Sequence, residues 1–457
     1  MSAGGATVEV LEAGEAEAAQ RRVAGSLEAA GVGRGERVAF CLGSSAGLLL
    51  CVLGAARRGV VPVLLNATLL PAERDLLLAD AAPALVVVDR AGLRALLEGP
   101  ERPLAPCPLV RPMHYTSGTT GRPKGVHSGL LDEAEARALL DDEADLWGYG
   151  PGDTHLVCSP LYHSVSVRMA GAALLRGGRV VVLSHFEAGA VVEALARFAP
   201  TTTFMAPTAL GRLLRHRAAP PRLGSLRRLV HAGSPCPAPL KRAAMARVGP
   251  GVLWEFYGAT EGQFTVCGPE EWTQRPGTVG RARPGRRLEI DEGGVVWCHA
   301  PPFARFEYWG DPEATTRAWR GDAFTVGDVG RLDDDGYLFL EGRREDLVIS
   351  GGVNVYPAEV EAALAEVEGV AEVAVFGVGD AEWGERVCAA VVGRVAEADL
   401  RRHAAGRLAP YKRPKDYYFL DELPHTATGK LRRRDLAALL GLGAGDDGPA
   451  GVPGAGV

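Results

Sequence analysis

Residues 115–126 combine groups that could hold a polyphosphate. They read Tyr-Thr-Ser-Gly-Thr-Thr-Gly-Arg-Pro-Lys-Gly-Val, so hydroxyl side chains and glycines are followed by one lysine, Lys124. Hydroxyls and backbone N–H groups donate to phosphate oxygens, and an ammonium adds positive charge. The spacing is not that of the P-loop GxxxxGK[ST], because three residues separate Gly121 from Gly125 and the lysine is followed by glycine. The segment therefore predicts a phosphate-binding loop of another kind.

The choice of lysine is informative in this chain. Of its 50 basic residues only five are lysine, at positions 124, 241, 412, 415 and 430. Arginine thus fills nearly every position where any cation would serve, and a retained lysine is a candidate for a specific task. Lysine offers a compact point charge on a flexible stem. Four of the five lie in Gly/Pro-rich segments, whereas Lys241 lies in a stretch that is helical in pattern.

Alternating strands and helices are predicted around these residues. The strand-like segments up to residue 232 are RVAFCLG, VVPVLLN, ALVVVD, THLVCS, RVVVLS, TTTFMAP and RRLVHAG. Helical stretches such as SAGLLLCVLGAARRG and VVEALARFA separate them. This alternation is typical of a parallel sheet covered on both faces. We expect an α/β fold with a large N-terminal domain of parallel α/β subdomains.

The pattern changes in the last 180 residues. Residues 277–341 read as short strands and turns, which predicts a small β-barrel-like subdomain. From about Arg343 to Asp346 a compact α+β pattern begins. We therefore expect an N-terminal domain over residues 1–343, a C-terminal domain over 344–440 and a disordered tail over 441–457.

Composition excludes several classes of protein. The net charge of −6, with 47% apolar and 23% charged residues, disfavours a disordered chain and a basic nucleic-acid binder. Eight cysteines without a close pair favour reduced, buried thiols. The N-terminus lacks the order of a secretory signal, and the apolar run 46–56 is too short to span a bilayer. We expect a soluble cytoplasmic protein with no nucleic-acid or membrane partner.

The loop 115–125 resembles the phosphate loop of the adenylate-forming superfamily, which includes acyl-CoA ligases, nonribosomal-peptide adenylation domains and beetle luciferases. Further matches occur in the family's order across roughly residues 30–440. They are Pro160-Leu161-Tyr162-His163-Ser164, Tyr257-Gly258-Ala259-Thr260-Glu261, Gly327-Asp328, Gly342-Arg343, Ser350-Gly351-Gly352, Val355-Tyr356-Pro357-Ala358-Glu359-Val360-Glu361 and Thr428-Gly429-Lys430.

The resemblance implies an AMP-forming acyl-CoA ligase. A carboxylic acid would attack the α-phosphate of ATP to give an acyl-adenylate and pyrophosphate, and the thiol of CoA would then displace AMP. ATP, Mg²⁺ and CoA are the implied cofactor and co-substrates. Both steps gather negative charge in one place, so catalysis should rest on charge stabilisation and positioning.

The resemblance also implies roles for individual residues. Lys430 would lie between the carboxylate and the α-phosphate, Thr260 would meet the α-phosphate, and His163 would gate the carboxylate site, although an ordinary core histidine remains an alternative there. Glu261 would bind magnesium, Glu345 would be the hinge of a mobile C-terminal domain, and Gly351 and Gly352 would face CoA. The implied ATP- and AMP-binding residues are Thr116, Ser117, Gly118, Thr119, Thr120, Gly121, Lys124, Gly233, Ser234, Tyr257, Gly258, Asp328 and Arg343. The acyl pocket is assigned to Tyr162, Met205, His231 and Ala259, a lining that favours an apolar or aromatic acid.

The chain departs from the family pattern at four points. The segment before the phosphate loop is short, Glu345 replaces the usual hinge aspartate, Val326 replaces threonine before Gly327, and Val353 occupies a commonly charged position. These departures leave room for a member that only transfers an acyl group from a supplied acyl-adenylate, for a carrier-protein acceptor, and for a silent nucleotide sensor. CoA is the preferred acceptor, and a homodimer is left open. Lys412, Arg413 and Lys415 either contact CoA phosphates or form a solvated basic face.

Overall fold

The computed structural model describes residues 5–116, 123–220, 222–343, 346, 348–350, 353–355, 357–380, 384–408, 410–425 and 431–442. The chain divides into two compact units. The larger unit comprises Met1–Glu289, Trp297–Val326 and Leu332–Phe339, and the smaller unit comprises Ile290–Val296, Gly327–Arg331 and Leu340–Val457.

The first part of the chain folds into alternating strands and helices, as its pattern predicts. Its elements are β1 (Val8–Leu11), α1 (Ala13–Ala29), β2 (Arg37–Phe40), α2 (Ala46–Arg58), β3 (Val61–Leu64), α3 (Pro71–Ala81), β4 (Leu85–Val87), α4 (Arg90–Leu97), β5 (Met113–Thr116), β6 (Lys124–His127), α5 (Glu133–Trp147), β7 (Thr154–Val157), α6 (Ser164–Leu175), β8 (Arg179–Leu183), α7 (Ala188–Phe198), β9 (Thr202–Phe204), α8 (Pro207–Arg215), β10 (Arg228–His231), α9 (Ala238–Val248), β11 (Leu253–Gly258), β12 (Gln263–Cys267) and α10 (Pro269–Gln274).

Shorter strands follow, and then the elements of the α+β region. They are β13 (Arg281–Ala282), β14 (Arg287–Ile290), β15 (Val296–His299), β16 (Glu307–Tyr308), α11 (Pro312–Ala318), β17 (Trp319–Arg320), β18 (Ala323–Phe324), β19 (Asp328–Leu332), β20 (Leu338–Arg343), β21 (Val348–Ser350), β22 (Val353–Val355), α12 (Pro357–Leu364), β23 (Val370–Asp380), β24 (Gly384–Gly393), α13 (Glu397–Arg407), β25 (Asp416–Phe419) and α14 (Asp435–Leu439). Short 3₁₀ turns lie at Pro302–Ala304 and Pro410–Lys412.

Two sheets form the frame of the larger unit. Among the described residues, sheet 1 has the order β1-β8-β7-β9-β10-β11-β12-β13, with parallel pairing from β8 to β11. Sheet 2 has the order β16-β6-β5-β3-β2-β4, with parallel pairing from β5 to β4. The predicted α/β fold class is therefore confirmed, and antiparallel strands flank both parallel cores.

Helices cover both faces of each sheet. One core joins α1, α2 and α6 to strands of both sheets, through side chains such as Val23, Val52, Met169, Phe40 and Val157, all at most 2% exposed. These helices therefore form a layer between the sheets. A second core packs α7, α8 and α9 on the outer face of sheet 1, and a third packs α3 on the outer face of sheet 2. The near-continuous apolar strands of the sequence are thus buried on both sides.

The later strands form smaller sheets. Strands β14, β15, β18 and β17 form one sheet in that order, and β19 pairs with β20. In the smaller unit, β22, β21, β24 and β23 form a sheet that β25 joins by parallel pairing with β24. Helices α12 and α13 pack on one of its cores and α14 on another. No helix among the described residues has the length and apolarity that crossing a membrane requires.

Candidate active site

The predicted phosphate loop is carried by a hairpin in sheet 2. Strands β5 and β6 pair antiparallel, with Tyr115 opposite Gly125 and Thr116 opposite Lys124. The Tyr115 hydroxyl donates to Asp80 Oδ2 at 2.5 Å, which ties the start of the loop to the end of α3. The hairpin therefore fixes both ends of the loop. The predicted residues Ser117, Gly118, Thr119, Thr120 and Gly121 lie outside the described residues.

Lys124 lies beside a tyrosine that the sequence did not single out. Its Nζ is 5.0 Å from the centroid of the Tyr308 ring and 3.9 Å from Asp311 Oδ2. The Tyr308 hydroxyl donates to Glu261 Oε1 at 2.9 Å. The predicted phosphate lysine and the predicted metal-binding carboxylate, 137 positions apart, therefore contact the same side chain. The Lys124 ammonium and the Glu261 carboxylate therefore both lie beside Tyr308.

A strand late in the chain creates this arrangement. Strand β16 pairs antiparallel with β6, with Tyr308 opposite Val126, and the Trp309 N–H donates to the Gly125 carbonyl at 2.7 Å. The Trp309 indole N–H also donates to the Asp80 carbonyl at 3.0 Å. The two-residue strand therefore belongs to sheet 2, although residues 277–341 were expected to form a separate barrel-like subdomain. Local patterns could not show this pairing because the partners are far apart in the chain.

Arg111 supports the segment that contains Thr260 and Glu261. Its Nη2 donates to the Thr260 carbonyl at 2.9 Å and lies 3.3 Å from the Glu261 carbonyl. Burial lowers the pKa of Arg111 to about 10, so it stays charged at neutral pH. Glu261 itself is only 6% exposed. Arg111 was not predicted, since a lone arginine before a strand carries no signal in an arginine-rich chain.

The turn between β11 and β12 is tightly closed. The register of the pair shifts between Tyr257 and Gly258, and the Ala259 N–H donates to the Gly262 carbonyl at 2.9 Å. A Cβ at Gly258 would lie 2.7 Å from the Gly262 carbonyl oxygen and 2.8 Å from Gln263 Cα. Glycine is therefore required there by close approach of the backbone.

The residues predicted around adenine follow neighbouring parallel strands. Gly233 and Ser234 come after β10, and Tyr257 is near the end of β11, whose Glu255 pairs in register with His231 of β10. Gly233 has φ +93°, and the Tyr257 ring packs at 4.8 Å from that of Phe264. Ligands commonly bind at the carboxyl ends of parallel strands. The geometry is thus compatible with the predicted nucleotide role of these three residues, which stays a prediction.

His163 lies at the start of α6. Its ring is 4.5 Å from that of Tyr162, and His114 Nδ1 lies 2.9 Å from the Tyr162 carbonyl oxygen. Burial lowers the pKa of His114 to about 3, so this imidazole is neutral and its Nδ1–H donates to that carbonyl. His114, which was not predicted, therefore anchors the predicted gate from β5.

The four predicted acyl-pocket residues differ in exposure. Met205 and His231 are 0% exposed, whereas Tyr162 and Ala259 are half-buried. A cavity of about 100 Å³ lies elsewhere, between α2, α5, α6 and residues 108–114. Its lining is mainly apolar and includes Ser164, next to His163, but none of the four predicted residues. Its position arises from three helices and could not be read from any one segment.

The described residues offer few protein ligands for a metal ion. Among the described residues no three His, Cys, Asp or Glu side chains cluster to hold one. Mg²⁺ is usually bound by one or two carboxylates together with substrate phosphates and water. The hard carboxylate of Glu261, oriented by Tyr308, fits that donor set.

The smaller unit contains the remaining predicted residues. Asp328 begins β19, is 9% exposed and follows Gly327 at φ +81°. Arg343 ends β20. Glu345, Gly351, Gly352 and Lys430 lie outside the described residues. The ribose, hinge, CoA and catalytic roles of these residues therefore stay predictions.

Two basic residues of the smaller unit have structural partners. Lys412 Nζ donates to both carboxylate oxygens of Glu359, at 2.6 and 2.7 Å. Arg433, three residues after Lys430, pairs with Glu361 of α12 and donates to the Val375 carbonyl. Arg433 thereby anchors the chain that follows Lys430.

Comparison with known proteins identifies the class. The model of the AMP-binding enzyme family matches residues 11–112 and 110–300, and the model of the AMP-binding enzyme C-terminal domain matches residues 359–430. The chain is 33% identical over 477 aligned residues to an indoleacetate–CoA ligase of Aromatoleum aromaticum, covering 92% of this chain and 91% of the relative. A 2-succinylbenzoate–CoA ligase of Bacillus cereus is 30% identical, over 90% of this chain and 89% of the relative.

Solved structures give the same result. The o-succinylbenzoate CoA synthetase MenE of Bacillus subtilis, in complex with ATP and a magnesium ion, has a TM-score of 0.82 and 28% identity, covering 93% of this chain and 94% of that one. The same enzyme has also been solved with its acyl-adenylate intermediate. Fold and site thus define an α/β enzyme of the adenylate-forming class.

The chain belongs to the AMP-binding enzyme family. The family predicted from the motifs is confirmed, and so is the predicted activity class, an AMP-forming acid–CoA ligase.

Proposed function

We propose that this protein activates a carboxylic acid with ATP and transfers the acyl group to CoA. In the first step a carboxylate oxygen bonds to the α-phosphorus of ATP while the bond to pyrophosphate breaks. In the second step the CoA sulfur bonds to the acyl carbon, the bond to AMP breaks, and the thiol proton leaves to solvent. The observation that carries the proposal is the contact of Lys124 and Glu261 with one side chain, Tyr308.

The residues of the larger unit account for phosphate binding. Lys124 supplies positive charge for the phosphates, and Thr260 supplies a hydroxyl whose backbone is held by Arg111. Glu261 would hold Mg²⁺, which when bound supplies charge neutralisation for the phosphates. Tyr308 orients the Glu261 carboxylate. These preorganised groups lower the barrier by stabilising charge.

The smaller unit supplies the catalytic lysine in this proposal. Lys430 stabilises the developing charge at the carboxylate and the α-phosphate, and Gly351 and Gly352 leave room for the narrow arm of CoA. Glu345 is the hinge about which this domain alternates between the two half-reactions. The resemblance of the motifs supports these assignments.

We also propose a substrate class and a location in the cell. We take an apolar or aromatic acid as the substrate class, because the predicted lining carries few charges and the indoleacetate–CoA ligase relative is named for an aromatic acid with one carboxylate. We also propose a cytoplasmic location, which the absence of a membrane-crossing helix among the described residues permits. The mass of the protein in solution tests for a homodimer.

Pyrophosphate exchange tests the function. Purified protein with ATP, Mg²⁺ and labelled pyrophosphate is given indole-3-acetate, 2-succinylbenzoate and simple benzoates or aliphatic acids, and thioester formation with CoA is followed by mass. Exchange with one acid and formation of its CoA thioester support the proposal. Thioester formation only from a synthetic acyl-adenylate contradicts the first step, and nucleotide binding without either reaction indicates a sensor.

A further inference from the structure

A buried ion pair lies close in sequence to one of the segments predicted to bind adenine. Lys241 of α9 is 1% exposed and Glu255 of β11 is 7% exposed, and Lys241 Nζ donates to Glu255 Oε2. The Lys241 ammonium also lies 4.8 Å from the centroid of the Trp272 ring. Lys241 is the one lysine of the chain outside the Gly/Pro-rich segments, and the site described above does not use it. A retained lysine at a buried position indicates a task that arginine does not serve.

The pair is placed to control two nucleotide-binding segments at once. Glu255 pairs in register with His231, and its carboxylate Oε1 lies 3.9 Å from His231 Nδ1. Two residues after His231 comes Gly233, and two residues after Glu255 comes Tyr257. A shift of either strand would therefore move the predicted adenine-binding groups.

The surroundings make the charge state of this pair consequential. His231 is 0% exposed, neither ring nitrogen has a hydrogen-bond partner among the described residues, and burial holds its pKa well below the usual value. Burial raises the pKa of Glu255, while the Lys241 ammonium opposes this. Besides His231, Cys236 and Cys267 interact electrostatically with both members of the pair, and Glu271 interacts with Cys267. Burial raises the pKa of both thiols to about 12, so they stay neutral. Lys241 is thus the cation that balances Glu255.

We propose that the Lys241–Glu255 pair is a positioning element for ATP: it holds the ends of β10 and β11 so that Gly233, Ser234 and Tyr257 are set for the nucleotide. This inference rests on the proposed function. A buried pair is costly to break, because removing one partner leaves the other charge buried and unpaired. Each single substitution therefore has its own pH signature.

The two single variants should respond differently to pH. In Lys241→Met, Glu255 is neutral at low pH and becomes an unpaired buried carboxylate as pH rises, so the KM for ATP should increase with pH. In Glu255→Gln that carboxylate is absent, so the KM for ATP should be raised by loss of the pair but should not increase further as pH rises. A loss of packing alone would give the same trend in both variants.

The experiment measures KM for ATP, kcat and the AMP dissociation constant from pH 6 to 9. For Lys241→Met we expect KM for ATP to rise on the order of tenfold at pH 9, with kcat within about twofold. The double variant Lys241→Met/Glu255→Gln, which leaves no buried charge, should show no pH dependence beyond that of the wild type. Arg242→Met is the matched control, since Arg242 is exposed on the same helix and near the same Trp272 ring.

Several outcomes would overturn the inference. They are unchanged KM and AMP binding, a fall in kcat without a change in KM, or identical pH trends in the two single variants. If Lys241→Met does not fold, Glu255→Gln still tests the role, because loss of the pair should raise its KM for ATP and weaken its AMP binding. Failure of the wild type to bind AMP or ATP would overturn the proposed function as well, and is thereby distinguished from failure of the positioning role alone.

Discussion

At the scale of residues, Tyr308 links two predicted functional side chains of the candidate site. Tyr308 contacts the predicted phosphate lysine with its ring and the predicted metal ligand with its hydroxyl. The sequence motifs contain Lys124 and Glu261 but not Tyr308. No phosphate-binding or metal-binding motif in the sequence includes this tyrosine. The motifs therefore single out Lys124 and Glu261 as candidates, whereas their shared contact with Tyr308 depends on the tertiary fold.

Tyr308→Phe should weaken the use of Mg²⁺. The variant keeps the aromatic ring beside Lys124 and removes the hydroxyl that orients Glu261, and losing a group that orients a metal ligand typically costs roughly tenfold in affinity. We expect the Mg²⁺ concentration for half-maximal pyrophosphate exchange to rise by about that factor. Tyr337→Phe is the control, since its hydroxyl donates to Glu271 instead. An unchanged Mg²⁺ dependence would refute the role of Tyr308.

His114 should make the larger unit sensitive to acid. Its folded pKa of about 3 lies below the unfolded value, so the unfolded chain binds the extra proton. Stability is therefore full above about pH 6.5 and is lost as pH falls toward 3. In His114→Gln the free energy of unfolding should fall less steeply with acid, by up to about 1.4 kcal/mol per pH unit. Urea unfolding at pH 7.5, 6 and 5 measures this, and the exposed His185→Gln should keep the wild-type slope.

At the scale of elements, local pattern was a good guide where strands and helices alternate. The segments RVAFCLG, SAGLLLCVLGAARRG and VVPVLLN became β2, α2 and β3, with Ser45 capping α2 through the Leu48 N–H. The pairing of β16 with β6 and of β1 with β8 was not predicted, because antiparallel edges depend on tertiary contacts. The hydrophobic periodicity of a segment indicates which face of that element is buried. It does not indicate which distant strand pairs with it.

The turn between β11 and β12 gives an element-scale prediction. In Gly258→Ala the new methyl group would meet backbone atoms at 2.7 and 2.8 Å, which cannot move independently of the turn. We expect AMP binding to weaken at least tenfold and the unfolding free energy to fall by about 1–3 kcal/mol. Calorimetric titration with AMP and urea unfolding measure the two effects. Gly152→Ala, where a Cβ meets nothing within 4 Å, should change neither, and a normal Gly258→Ala variant would show that the turn tolerates a side chain.

At the scale of the whole molecule, the predicted catalytic residues are divided between the two units. The larger unit carries the phosphate hairpin and Glu261, while the smaller unit carries Lys430. The proposed domain limits at 343 and 440 come from sequence pattern, which cannot show that Ile290–Val296 and Gly327–Arg331 group with the smaller unit. That grouping depends on contacts between segments that are separated in the chain.

Lys430→Ala should separate the two half-reactions. Removing one preorganised charge-stabilising donor typically lowers the rate on the order of 10²–10³-fold. We expect this loss in pyrophosphate exchange, with thioester formation from a synthetic acyl-adenylate and CoA nearly retained. Arg402→Ala, at an exposed position of α13 in the same unit, is the control for general damage. Equal losses in both half-reactions, or none in either, would contradict the role of Lys430.

The pairing of β16 with β6 also bears on synthesis of the protein. While the ribosome has made only the first 300 residues, the outer edge of β6 has no partner, and Tyr308 has not yet emerged to meet Lys124. Unpaired strand edges of this kind invite association between growing chains, and contacts so distant in sequence form slowly. Nascent chains should therefore acquire the complete candidate site only late in translation. Until β16 pairs with β6, the exposed edge of β6 must be protected from association by other contacts.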